Sequence, residues 1–376
     1  MQYKELPFNS DDMLTGLRPW IECESPTHDA AAVDRMLDLA CYDLAASGAS
    51  VERIAGRSGF GGSVRATFPH PDQRQPGILI AGHMDTVHPV GTLDVLPCRR
   101  EGNQCWGPGI QDMKSGNYLS LEAIRQLRAA SVQTPLPITV LFTPDEEVGT
   151  PSTRELIEAT AAQNKYVLVP EPARPDGGVV WGRYAIARYY LETIGVPIHA
   201  GVDPRLGHSA IKEMARRILQ IEEMTTDDCT FSVGVINGGE WVNCVASSCK
   251  AEALSMARRQ QDLDAGVEKI MALNDATGDV GFRVTRNVTR PVWEPDDGCK
   301  ALHAHAATLA SELGFELPAS MAGGGSDGNF TGAMGIPTLD SLGARGAGLH
   351  TLNEHIEVDS LAERGKLMAG LLATLS

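Results

Sequence analysis

The sequence predicts an α/β protein, with helices covering a largely parallel sheet and a smaller α+β module set into it. Three observations predict it. Strand-length apolar runs alternate with helix-length periodic segments from residue 30 to residue 170, the pattern of strands joined through covering helices. Between residues 185 and 285 the order becomes β-α-β-β-α-β, which is that of a ferredoxin-like module. A length of 376 residues also exceeds the ~250–300 at which one core usually stops growing, so two domains are expected.

The elements follow in order. A first helix spans Asp11 to Glu22, and a second, Ala30 to Ser47, carries Val33, Met36, Leu37, Ala40 and Leu44 at helical spacing. Strands are predicted at Ser63–Phe68 and Gly77–Gly82, a helix at Ser115–Ala129, a strand at Ile138–Phe142, a helix at Ser152–Ala162 and a strand at Tyr166–Val169. The texture changes near Trp181-Gly182-Arg183. A strand at Ala185–Ile194, a helix at Gly207–Glu223, strands near Thr230–Ile236 and Ala246–Ala257, a helix near Asp262–Ala276 and a strand at Gly281–Thr285 make up the second module. After Arg290 come a helix at Lys300–Leu313, a glycine-rich turn at Gly323–Gly328, a strand near Pro337–Leu342 and a closing helix, Ser360–Leu375. The expected domains are 1–183 with 292–376, and an inserted 184–291.

Composition narrows the function. A net charge of -16 and the absence of a long basic cluster argue against nucleic-acid binding. No apolar run approaches the roughly 18 residues of a membrane helix, and the first residues do not read as a secretory signal, so a soluble cytoplasmic protein is expected. The eight cysteines are scattered without a C-x-x-C pair, which fits reduced, mostly buried thiols.

Five segments place carboxylates or imidazoles at strand-like ends: Gly82-His83-Met84-Asp85, Gly109-Ile110-Gln111-Asp112, Asp145-Glu146-Glu147, Pro170-Glu171-Pro172 and Gly348-Leu349-His350. In α/β sheets, ligands gather at the carboxyl ends of strands. His83 and Asp85 flank one residue, so one can bind a metal while the other orients it. Asp112 lies in a glycine-bounded loop able to present its carboxylate to two ions. Glu146 and Glu147 are adjacent and aim differently, which suits one ligand and one general base. Each segment taken alone has an ordinary explanation: a capping His-x-Asp, acids at a helix start, an exposed loop glutamate, a loop histidine. Two imidazoles and several carboxylates without a thiolate form a donor set for a hydrolytic metal such as zinc.

These motifs resemble the zinc exopeptidase family of glutamate carboxypeptidases, aminoacylases, acetylornithine deacetylases and succinyl-diaminopimelate desuccinylases. Asp145-Glu146-Glu147-Val148-Gly149-Thr150-Pro151-Ser152 and Gly324-Gly325-Ser326-Asp327-Gly328-Asn329 look most like its bacterial glutamate-carboxypeptidase branch. The resemblance implies a mixed-sheet catalytic domain with an inserted ferredoxin-like lid that also forms a homodimer. It implies two divalent ions, zinc first with cobalt or manganese as alternatives, bridged by Asp112. His83 and Glu171 would complete one site, and Glu147 and His350 the other. Glu146 would activate a metal-bridged water, Asp85 would orient His83, and a cis peptide would follow Asp112. His199 matches a lid histidine that acts across the dimer on the scissile carbonyl, while Arg290, Asn243, Gly324 and Gly325 match substrate-binding positions.

The implied substrate is a small amide or peptide: a C-terminal amino acid such as glutamate, or an N-acyl amino acid. One departure matters, because Met256 stands where such relatives commonly carry an arginine, and a thioether cannot form a bidentate bond to a carboxylate. Two alternatives therefore stand beside the amide hydrolase. One is an aminohydrolase releasing ammonia from an aromatic or amidine-type amine, and the other is a non-catalytic metal-binding scaffold.

Overall fold

In a computed structural model, which describes residues 2–376, α1 (Ser10–Glu22) starts where the Asn9 side chain accepts bonds from the backbone N–H groups of Asp11 and Asp12, satisfying donors a helix start leaves unpaired. Its face of Leu17, Trp20 and Ile21 is fully buried. α2 (Ala30–Ala46), capped by Asp29, buries Val33, Met36, Leu37, Ala40 and Leu44, one stripe at helical spacing. There follow β1 (Ser50–Ile54), β2 (Ser63–Thr67), β3 (Gly77–His83), β4 (Arg99–Glu101), β5 (Gln104–Trp106), α3 (Ser115–Ala129), β6 (Ile138–Thr143), α4 (Arg154–Ala161), β7 (Asn164–Leu168) and β8 (Val179–Arg183).

The chain then forms β9 (Ala185–Ile194), α5 (Ala210–Glu222), β10 (Cys229–Gly238), β11 (Ser248–Ala257), α6 (Gln260–Met271) and β12 (Gly281–Arg290). It ends with α7 (Asp297–Leu313), β13 (Ala319–Ala322), α8 (Gly328–Ala333), β14 (Thr338–Leu339), β15 (Gly346–Ala347), β16 (His355–Glu357) and α9 (Asp359–Thr374). One unit takes in the chain up to Gly182 with Glu294–Ala322 and Ser326–Ser376, and the other takes Arg183–Trp293 with Gly323–Gly325.

The first unit is built on a mixed sheet of order β1-β2-β6-β3-β7-β14. β3 is parallel to both β6 and β7, β14 is parallel to β7, and β2 opposes β6 and β1. Every residue of β3 is buried, as a central strand covered on both faces must be. A smaller sheet of order β15-β16-β5-β4 lies in the same unit. Its strands of two or three residues are too short to carry a period-two pattern, so the sequence does not announce them.

The second unit is a four-stranded antiparallel sheet of order β10-β11-β9-β12. Along β9, Ala185, Ala187, Tyr189 and Leu191 are buried in a core with Met214 and Ile221 of α5 and Leu263 and Ile270 of α6. Tyr190 and Ile194 point to the open face. The Gly323–Gly325 turn joins this unit because Arg183 Nη1 donates to Gly324 O at 2.8 Å. Among the described residues no helix is long and apolar enough to cross a membrane.

Candidate metal centre

β3 ends on His83, whose carbonyl accepts a bond from Asn117 Nδ2 at 2.7 Å. Its Nδ1 lies 2.9 Å from the Asp85 carbonyl and 3.3 Å from Asp85 Oδ1, so the backbone oxygen is the nearer partner. That leaves Nε2 directed at the neighbouring carboxylates. The Asp85 carboxylate, fully buried, serves a second segment as well. Oδ1 accepts from Glu146 N at 3.2 Å, and Oδ2 accepts from Glu147 N at 3.3 Å and from Thr27 Oγ1 at 2.7 Å. One residue therefore holds an imidazole, chiefly through its carbonyl with the carboxylate beside it, and pins with that carboxylate the turn that presents two glutamates.

Glu146 and Glu147 lie in a 3₁₀ turn, Glu146–Val148, closed by Gly149 at φ 97°. The following helix begins only at Arg154, later than the expected Ser152, so these acids are not first-turn residues drawn to its dipole. Asp145 closes the loop instead, accepting bonds from Ser152 N and Thr153 Oγ1, and Thr150 Oγ1 donates to Asp327 Oδ1 at 2.6 Å.

Asp112 follows Gly109, which is left-handed at φ 68°, and the Asp112–Met113 peptide is cis. Its two carboxylate oxygens face different imidazoles: Oδ1 is 3.2 Å from His83 Nε2, and Oδ2 is 3.3 Å from His350 Nε2. Glu171 Oε1 stands 3.8 Å from His83 Nε2, and Glu147 Oε2 stands 3.2 Å from His350 Nε2. Ligand atoms of His83, Asp112 and Glu147 lie within 4.8 Å of one another, as do those of His83, Glu146 and Glu171. The seven residues come from five separate segments.

The segment carrying Glu171 is held at close quarters. A Cβ on Gly116, at the start of α3, would stand 1.8 Å from Pro170 O. Gly116→Ala is expected to push the Pro170–Glu171 backbone away, costing about 1–3 kcal/mol as overpacking does and weakening metal uptake. Urea denaturation and a metal titration check this, and wild-type values in both would refute it.

Crowding of carboxylates dominates the electrostatics. Burial, then the charge of Asp112, pushes the Glu147 carboxyl up to about 8, and the same two causes raise Glu171 well above its usual range. Bonds to Asp112 and Glu147 push His350 up to about 10. Burial opposes a charge on His83, yet Asp112 and Asp85 hold it well above the ordinary imidazole value. Burial likewise opposes ionisation of Asp112, and the two imidazoles keep it ionised. The cluster thus draws positive charge to a small space. Imidazole nitrogens and carboxylate oxygens without a thiolate are donors for zinc, cobalt or manganese, so these residues fit divalent ions.

The other residues singled out in the sequence belong to the second unit. Met256 on β11 and Arg290 on β12 both pair with Ile186 on β9, so the three form one row on one face of the sheet. A Cβ on Gly325 would stand 2.6 Å from Arg290 Cδ and 2.9 Å from Ile186 Cδ1, which places the glycine turn against that row. His199 lies beyond the opposite end of β9, in an exposed loop bridged to Cys244, with Asn243 Nδ2 3.4 Å from its Nε2. Ile186 and Ile194 are separated by eight residues of extended chain, roughly 26 Å at 3.3 Å per residue. The structure therefore gathers Arg290, Gly324 and Gly325 at one end of this sheet and His199 with Asn243 at the other. Thr27 and Asn117, which tie Asp85 and His83 in place, carry no motif and escape a reading of the sequence.

A family model described as peptidase family M20/M25/M40 matches residues 79–374. The chain is 32% identical over 309 residues to carboxypeptidase G2 of Pseudomonas sp. (strain RS-16), covering 79% of this chain and 74% of that protein. It is 24% identical over 341 residues to the succinyl-diaminopimelate desuccinylase of Psychrobacter sp. (strain PRwf-1), covering 85% and 84%. Its fold is similar to that of a tripeptidase from Staphylococcus aureus subsp. aureus Mu50, with a TM-score of 0.79, 21% identity and coverage of 97% and 98%.

Proposed function

Because the chain belongs to peptidase family M20/M25/M40, we propose that it is a dinuclear metal-dependent hydrolase that cleaves an amide bond of a small substrate, releasing a C-terminal amino acid such as glutamate or deacylating an N-acyl amino acid. One observation carries the reading: each oxygen of Asp112 faces a different imidazole, with a further carboxylate beside each. His83 with Glu171 would hold one ion and His350 with Glu147 the other, Asp112 serving both. The donor set favours zinc, with cobalt or manganese as substitutes.

When bound, the ions supply Lewis acidity that polarises the scissile carbonyl and makes water a competent nucleophile at neutral pH. Glu146 acts as general base, taking a proton from water as its oxygen bonds the carbonyl carbon. The C–N bond then breaks, and Glu146 returns that proton to the leaving nitrogen, giving a carboxylic acid and an amine; passage of the remaining water proton from the acid to the amine leaves a carboxylate and an ammonium. Asp85 keeps both partners of this step in place, through His83 and through the Glu146 and Glu147 amides.

The Arg183–Trp293 unit acts as the lid. Arg290 anchors a substrate carboxylate beside the Gly323–Gly325 turn, and the half-buried Met256 in the same row favours an apolar group next to it. His199 donates to the developing oxyanion. Within one copy, His199 and Arg290 lie at opposite ends of β9, so a second copy must supply His199 if both touch one substrate. Trp241 at 72% exposure and Val242 at 106%, beside Asn243, offer apolar surface for such a homodimer. None of the described cysteines forms a disulfide, which suits a reducing, cytoplasmic setting.

Metal-free protein prepared with a chelator is expected to be inactive on N-acyl amino acids and dipeptides, and zinc, cobalt or manganese should restore release of an amino acid. Ammonia as the sole amine product across the panel would replace this reading with an aminohydrolase. Stoichiometric metal without hydrolysis would replace it with a metal-binding scaffold.

A further inference from the structure

Glu354, four residues beyond His350, is absent from the ligand set above, yet its side chain is buried and fully engaged. Oε1 accepts bonds from the backbone N–H of Gln111 at 2.8 Å and of Asp112 at 3.0 Å. Oε2 accepts from Gly109 N at 3.0 Å and from His88 Nε2 at 2.7 Å. Its backbone joins the same loop, since Gly107 N donates to Glu354 O at 3.3 Å. The next residue begins β16, where His355 pairs with Trp106 of β5.

A buried carboxylate is costly unless its lone pairs are met by donors. Here four donors meet them, and three are amides of the loop that presents Asp112, those of Gly109, Gln111 and Asp112. These amides form a concavity of the kind that binds anions, filled from within the chain. On the other side, Glu354 N donates to Thr351 O at 3.2 Å, and Thr351 N and Oγ1 both bond Gly348 O, closing the turn that carries His350. His88 adds the segment that follows His83. Glu354 therefore joins the Asp112 loop through its carboxylate and the His350 turn through its backbone, and His88 ties in the chain that follows the His83 segment.

We infer that Glu354, held by His88, is a positioning residue of the metal centre, fixing the Asp112 and His350 loops relative to each other so that affinity for the ion pair depends on it. The inference rests on the metal-hydrolase reading only through the identity of those ligands. Moving the Asp112 backbone displaces both of its oxygens, and with them the approach to both imidazoles at once. Glutamine in place of Glu354 keeps the shape but turns an NH₂ toward donors. If that NH₂ faces His88, the imidazole can change tautomer and accept, but the Gly109 N–H is left without an acceptor. The opposite orientation opposes the Gln111 and Asp112 amides instead.

The test is a cobalt(II) titration of the full chain, read by its visible absorption and by competition with a chromogenic chelator, alongside thermal melting of the metal-free forms. Glu354→Ala is expected to weaken cobalt binding by about 10–100-fold, the usual consequence of losing a group that supports a ligand. Glu354→Gln should fall between Ala and wild type and alter the cobalt spectrum. If both variants bind cobalt with wild-type affinity and spectrum and only melt lower, Glu354 is merely structural and the inference is overturned. If the Ala variant does not fold, the Gln variant decides the matter by the same criteria. Wild-type protein that takes up no cobalt would overturn the metal-centre reading itself, and this inference with it.

Discussion

Glu146→Gln is expected to lower kcat by roughly 10²–10⁴-fold, the range that general base catalysis contributes, while the protein still takes up its metal. The substitution preserves volume and leaves the backbone bond from Glu146 N to Asp85 Oδ1 intact, so the turn should keep its place. What it removes is the capacity to carry a proton from water to the departing nitrogen. Steady-state release of an amino acid, measured with metal content by elemental analysis on the same samples, separates the two effects. Normal turnover would move the base elsewhere. Parallel loss of metal and activity would make Glu146 a ligand instead.

Asp112→Ala is expected to have the larger effect of the two. It removes the oxygens that stand 3.2 Å and 3.3 Å from the two imidazoles, and it leaves Glu147 and Glu171 without the group that both ions would share. Metal uptake should fail, and hydrolysis should approach the uncatalysed rate, typically ~10⁶-fold or more below that of an enzyme. The circular dichroism of the metal-free forms should match that of wild type, because Asp112 belongs to a loop and the core is unaltered. Retention of both ions by Asp112→Ala would sink the bridging role and with it the assignment of paired sites.

Much of this architecture is legible in local pattern. The stripe of Val33, Met36, Leu37, Ala40 and Leu44 predicts α2, and the structure buries all five. The apolar run ending at Gly82 predicts β3 and puts His83 at its end. These elements are legible because burying one face imposes a period of 3.6 or 2 on neighbouring residues. The strands β4, β5, β15 and β16 are not legible, being held by partners rather than by a pattern of their own. The acids of Glu146–Val148 look like the start of a helix in sequence, but the loop closed by Asp145 sets them in a separate turn.

Which chemical groups belong to the candidate centre is written in the sequence: two histidines and five carboxylates at strand and loop ends, in an order that a family shares. How they meet was decided only by the tertiary structure. That Asp85 serves both His83 and the Glu146-Glu147 turn, that Asp112 turns one oxygen to each imidazole, and that Glu354 with His88 joins the ligand loops all depend on bonds between distant segments, the last pair being 266 residues apart. A buried carboxylate takes its direction from whichever amides converge on it, and that convergence exists only once the sheet has brought the segments together.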